Sequence, residues 1–193
     1  MKIEGGGWTV PDGSYGSPPE GAPPSVDVRV EETALGTWRR YDYPSGARFA
    51  EFRSNAEVLG YPLLHYTSGI DPATRRRVVA RGVVAVGRKA IGFLALGQVA
   101  MGVIAVGQGA AGVAVLGQAA GGVWSIGQLS LGCLFAAGQV AIGSTAIGQL
   151  ALGRMAMGQI AVGAHSWMPG HADPVAVAFF KTMLNSLLHL FGG

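Results

Sequence analysis

The segment GQVAMGVIAVGQGAAGVAVLGQAAGGVWSIGQLSLG, residues 97–132, sets a glycine at every fifth position, and that spacing decides the fold. Followed outward, the glycines run from Gly82 to Gly132 in steps of five, skip one extra residue, and resume from Gly138 to Gly163. With glycine as position 1, position 4 is alanine or serine in nearly every unit, as at Ala85, Ala105, Ser125 and Ala151. Positions 3 and 5 are mostly Val, Ile, Leu or Met. Position 2 alternates between glutamine (Gln98, Gln108, Gln118, Gln128, Gln139, Gln149, Gln159) and, usually, an apolar residue. The repeat is therefore a decad of the form GQxAxGxxAx, and internal repeats of this kind dominate any reading of a chain.

A period of five excludes a helix, on which the glycines would wander around every face. It also excludes one long straight strand, because an odd period sends successive glycines to opposite sides. Three-residue strands joined by glycine-centred bends satisfy both limits, with glycine supplying the backbone freedom of a tight bend. Positions 3 and 5 are then expected to point inward and the position-4 alanines outward. The fold class expected is all-β, a β-solenoid whose coils stack at about 4.8 Å. Four pentads per coil make a square of about 20 residues per turn, and two make a flattened ribbon of about 10. The square coil is the primary expectation. In both, the glutamines stack into amide ladders.

Over residues 82–167 the pattern resembles the pentapeptide-repeat proteins, whose square β-helices are also built from five-residue units. The strict glycine and the large residue at position 3 depart from that family's consensus. A looser likeness is to the bactofilins, filament-forming β-helices, and the whole chain looks like bacterial proteins with a Gly-Ile-Ala-Ile-Gly style of repeat.

The repeat has two irregular places. The six-residue step Gly132–Ala137 puts Phe135 where alanine belongs, which reads as a bulge holding a buried Cys133. Gly109, Ala111, Ala114, Ala119 and Gly121 are small where large residues recur, and Trp124 is expected to fill the volume they leave.

Around the repeat, residues 1–25 form a Gly/Pro-rich tail. Residues 26–81 contain three strand-like runs, VDVRVEE, TWRRYDY and ARFAEF, and are expected to form a small β cap with a basic entry segment. At the far end, Asp173-Pro174 is an N-cap followed by proline at N1, opening an amphipathic helix over 173–191. Its apolar stripe comprises Ala176, Phe179, Phe180, Met183, Leu184, Leu187 and Phe191. The helix is read as a cap on the last coil or, alternatively, as a membrane-surface or partner helix.

Composition narrows the chemistry. Residues 1–71 carry ten acids against six bases, and no acid occurs between Asp71 and Asp173. Six bases cluster at Arg75, Arg76, Arg77, Arg81, Arg88 and Lys89. That patch has the charge to meet anionic lipid, nucleic acid, the acidic N-terminal segment or a neighbouring subunit, but its few aromatics speak against specific nucleic-acid binding. A single cysteine excludes a disulfide framework and a paired-cysteine zinc site. His165, His171 and Asp173 match no standard metal spacing, no serine occupies a nucleophile elbow, and no GK[ST] follows the glycines. No catalytic residue, cofactor, metal or small-molecule substrate is expected. With no apolar leader at the N-terminus, the expected location is cytoplasmic, with membrane association as the alternative.

The reading these features favour is a non-enzymatic structural protein that self-associates through its solenoid into a dimer or filament. Outward Phe93, Val103, Val113 and Val123, and Phe179, Phe180 and Leu184 on the helix, are the expected interface residues. Membrane association through the same apolar surfaces, and surface or ice binding by a flat face, are the alternatives.

Overall fold

The computed structural model describes residues 28–191, with side chains described through residue 189. The tail expected over 1–25 and the side chain of Phe191 lie outside the described residues. The chain is mostly β with one C-terminal helix, and divides into two compact units, one ending at Lys89 and the other beginning at Ala90.

In the first unit, β1 (Arg29–Thr33), β2 (Gly36–Asp42) and β3 (Arg48–Ser54) follow the three strand-like runs of the sequence. They form an antiparallel meander that continues into β6 (Leu64–Ser68). Trp38, Phe52 and Tyr66 are successive partners across β2, β3 and β6, with Trp38 and Phe52 centroids 4.8 Å apart. A hairpin of β4 (Glu57–Val58) and β5 (Tyr61–Pro62) turns through Leu59 and Gly60, both with positive φ. β6 then pairs in parallel with the start of β7 (Ala80–Leu152), Leu64 opposite Val84 and Tyr66 opposite Val86.

The second unit contains the rest of β7, then β8 (Met155–Val162), β9 (His165–Met168), β10 (His171–Ala172) and α1 (Pro174–Phe191). The parallel registers have a constant offset: Thr145 pairs with Met155, Ala151 with Ala161, and Met155 with His165. Within β7 the same offset recurs, since a Cβ built on Gly112 falls on the Gly102 carbonyl and one on Gly117 on the Gly107 carbonyl. The chain thus returns beside itself every ten residues. A square coil requires an offset of twenty, so the pairing contradicts the four-pentad expectation. At the six-residue step the offset becomes eleven, with Gly138 over Gly127 and Gly143 over Gly132.

The sequence reading of inside and outside is reversed. Ala95, Ala100, Ala105, Ala141, Ala146 and Ala151, all at position 4, are buried, whereas Val99, Met101, Ile104 and Ile126, at positions 3 and 5, are exposed. The reason lies in the ten-residue return: position-4 side chains of successive pentads meet across a separation with room for alanine and for nothing larger than Val115. Ser125 and Ser130 mark the separation. Both are fully buried, their hydroxyl oxygens are 2.6 Å apart, and Ser130 Oγ donates to the Ser125 carbonyl at 2.8 Å. Because neighbours along a strand point to opposite faces, Trp124, Ile126, Leu129 and Leu131 point away from the buried serines and are exposed.

The glycines are also explained differently. None in the repeat has positive φ; among the described residues the positive-φ glycines are Gly46, Gly60, Gly69 and Gly170. From Gly102 to Gly163 a Cβ at position 1 would fall on the carbonyl oxygen of the glycine ten or eleven residues earlier, except at Gly132, where it would meet the Phe135 carbonyl. Gly109 and Gly121 are outside this rule: a Cβ on Gly121 meets nothing within 4 Å, and on Gly109 only Gln98 O at 3.9 Å.

Three further expectations change. Cys133 is exposed, because it stands at position 2. The described side-chain hydrogen bonds include none between the glutamines, whose side chains lie in solvent. Trp124 fills no internal volume and is 54% exposed, since the small residues beside it also face outward.

Asp173 caps α1 as the sequence implies, its Oδ1 accepting from Val175 N at 2.8 Å and Ala176 N at 3.3 Å. The helix lies against β8 and β9 through its first turns, where Ala176 and Phe180 are buried. Phe180 is therefore corrected from a free interface residue to a packing residue. Beyond it, Leu184, Leu187 and Leu188 are exposed.

Replacing Gly112 by alanine is expected to lower stability by about 1–3 kcal/mol, the cost of overpacking against rigid backbone. Gly121→Ala should change it by no more than about 0.5 kcal/mol, or raise it slightly. Thermal melts followed by circular dichroism check the pair, and equal losses would refute the close-approach explanation. Ser130→Ala should cost about 1–3 kcal/mol by stranding the Ser125 hydroxyl, and adding Ser125→Ala should recover most of it. A double variant weaker than the single one in denaturant titration would contradict this.

Candidate functional site

The outer faces of the second unit are the most distinctive surface of the chain. Each five-residue side of a coil sends its position-3 and position-5 residues outward. Successive coils align these into columns, since each coil sits over the one ten residues earlier. One face carries Ile104, Leu116, Trp124 and Ile126, and the opposite face carries Val99, Met101, Leu129 and Leu131, all more than 40% exposed. No charged residue occurs from Ala90 to Gly153. A face eight coils tall and five residues wide covers on the order of 600 Å² before side-chain relief is counted. Apolar patches of a few hundred Å² are already unusual on monomers.

Among the residues expected at an interface, Phe93, Val103 and Val113 are exposed and stack coil on coil along one edge, whereas Val123 is half-buried. Phe179 is 39% and Leu184 55% exposed on α1. The columns at positions 3 and 5 escaped sequence reasoning because large apolar residues are ordinarily assigned to the interior. The uniformly small residue at position 4 was the available signal.

The basic residues lie in the first unit. Asp71 organises their turn: its Oδ2 accepts from Thr74 Oγ1 at 2.9 Å, its Oδ1 from Ala73 N at 3.2 Å, and its carbonyl from Arg75 N at 2.8 Å. Arg75 has φ 52°, and Arg75, Arg76, Arg77, Arg81, Arg88 and Lys89 are all exposed. None of the six forms an ion pair among the described residues; in the first unit Glu31 and Asp42 instead meet Arg40 and Arg48, and Glu51 and Asp71 both approach Arg39.

Two histidines join carboxylates. His65, buried in β6, has Nδ1 accepting from Arg81 N at 2.9 Å, which leaves Nε2–H to donate to Glu51 Oε1 at 3.1 Å. Arg39 Nη1 donates to the other carboxylate oxygen at 2.6 Å. The His65 hydrogen bond holds the Glu51 carboxyl below its usual range, against the opposing effect of burial and with help from the Arg39 charge. With both ring nitrogens engaged, His65 serves the packing of β3, β6 and β7. His165 Nδ1–H donates to Asp173 Oδ2 at 3.2 Å, the largest of the influences that lower the Asp173 pKa. His171 does not join them, and among the described residues no three His, Cys, Asp or Glu side chains assemble as metal ligands would.

An open apolar groove in the first unit is lined by Leu35, Trp38, Phe52, Leu64, Tyr66 and Val86. Among the described residues, no helix is long and apolar enough to cross a membrane. No family model matches the chain, and neither a curated protein nor a solved structure is similar to it.

Because the Glu51 pKa is depressed on folding, its contribution is present above the unfolded value and lost as pH falls through the folded one. Stability should therefore decline as pH drops below about 4. Glu51→Gln should flatten that acid limb in melts collected across pH, and an unchanged acid limb would exclude Glu51 as its source.

Proposed function

We propose that the protein is a non-enzymatic structural element, a flattened β-solenoid of ten residues per coil that associates with further copies of itself through its outer sheet faces. The observation that carries this reading is the inversion of the repeat: small residues inside, large apolar residues outside, recurring along the repeat. An interior of alanine methyls buries little area per residue, at about 25 cal/mol per Å². Covering the outer columns recovers the much larger apolar area that the coil leaves in water. The absence of charge from Ala90 to Gly153 removes the repulsion that keeps other surfaces apart. A face on the order of 600 Å² approaches the roughly 800 Å² per partner of a standard protein interface. The resemblance to repeat β-helices that polymerise agrees with this reading.

A second reading has one observation of its own. Leu184, Leu187 and Leu188 project from α1 beyond its packed first turns, which suits a membrane surface. Lys181 is the only basic residue among the described helix positions, which argues against strong attraction to anionic lipid.

Size-exclusion chromatography with light scattering should give a mass that rises with concentration above the 19.8 kDa monomer. Ile104→Lys with Leu116→Lys should lower that mass while leaving the circular dichroism spectrum unchanged. A wild-type chain that stays monomeric at high micromolar concentration, yet pellets with phosphatidylcholine vesicles, would replace self-association by membrane binding.

A further inference from the structure

The columns at positions 3 and 5 are interrupted at one place on each face. On one face, Gly109, Ala111, Ala119 and Gly121 replace large residues in two successive coils, between the rows Val99/Met101 and Leu129/Leu131. Those bounding residues are 54%, 54%, 44% and 48% exposed, so the small residues form the floor of a recess about 10 Å tall with apolar walls. On the opposite face, within about one coil of the same height, stands Trp124, the largest side chain of the repeat. It is 54% exposed, above the small Ala114 column position, and its ring lies 6.0 Å from Phe135.

Nothing among the described residues requires the recess. Gly109 and Gly121 have no left-handed φ, and neither has a neighbour that a Cβ would displace, unlike the position-1 glycines. Large side chains are accepted at equivalent positions in the coils on either side. The small residues therefore leave room that none of the described residues fills. Two-fold pairing of like faces would set Trp124 against Trp124, or recess against recess with a void between. Only front-to-back contact fills the recess and covers the tryptophan.

We propose, resting on the self-association reading above, that copies stack front to back, with Trp124 of one copy seated in the Gly109–Gly121 recess of a second copy of this chain. The area of each face approaches what a stable interface needs, and with no charge on either face the fit is set by shape. A contact between two different faces of the same molecule does not close on itself, so the assembly grows as a row.

The test uses the full chain and two variants, Trp124→Ala without the knob and Ala119→Leu/Gly121→Leu with the recess filled. Alone, each should lose growth and run near the 19.8 kDa monomer, with melting curves close to wild type. Mixed in equal amounts, they should form a species of twice that mass and no larger, because only one of the two possible contacts is complete. If both variants assemble as wild type does, the knob and recess are wrong while self-association stands. If the mixture gives no dimer, the contact is not front to back. A monomeric wild type overturns both this inference and the reading beneath it. Should Trp124→Ala fail to fold, growth by the recess-filled variant alone still refutes the proposal.

Discussion

Where Ser125 and Ser130 face each other, their hydroxyl oxygens lie 2.6 Å apart, and that contact measures how little room the buried position-4 side chains share, a constraint on which the rest of the repeat depends. Ordinary stacked sheets stand about 10 Å apart and interdigitate full side chains. Here alanine and serine fill the interior of the repeat, and Val115 is the one larger side chain buried at position 4. Alanine at position 4 follows from this, and so does the expulsion of Val, Ile, Leu and Met to the outside. Glycine at position 1 follows from the same compactness along the stack, where the next coil's carbonyl takes the place of a side chain.

A coil built this way satisfies its backbone through the coils above and below while holding little hydrophobic area internally. Its stabilisation therefore leans on stacked hydrogen bonds and on whatever covers the outer columns. This inverts the logic of a globular domain, where the largest apolar side chains define the interior. The same inversion gives the outer faces the chemistry of a core left open.

The first unit obeys the ordinary rules. Its strands were legible from alternation, as in TWRRYDY and ARFAEF, and its polar side chains meet one another in the interior, with Glu51 held between Arg39 and His65. That pairing could not be read from the sequence, because residues 51 and 65 come together only through the register of β3 with β6. The arginines at 75–77 remain outward because Asp71 spends its oxygens on the turn and not on their guanidinium groups.

The sequence by itself determined the period, the decad, the β character of the repeat and the capped C-terminal helix, because each depends on local spacing or on neighbours a few residues apart. It did not determine which side of the strand faced inward. Alternation separates positions 3 and 5 from position 4 but assigns neither set to the interior. The tertiary structure decided that, through a ten-residue return that brings the two halves of each coil too close for any interior side chain much larger than alanine. The helix shows the same division: its amphipathic stripe was written in Ala176, Phe180 and Leu184, but how far β8 and β9 extend beneath it decided that Phe180 is buried and Leu184 is not.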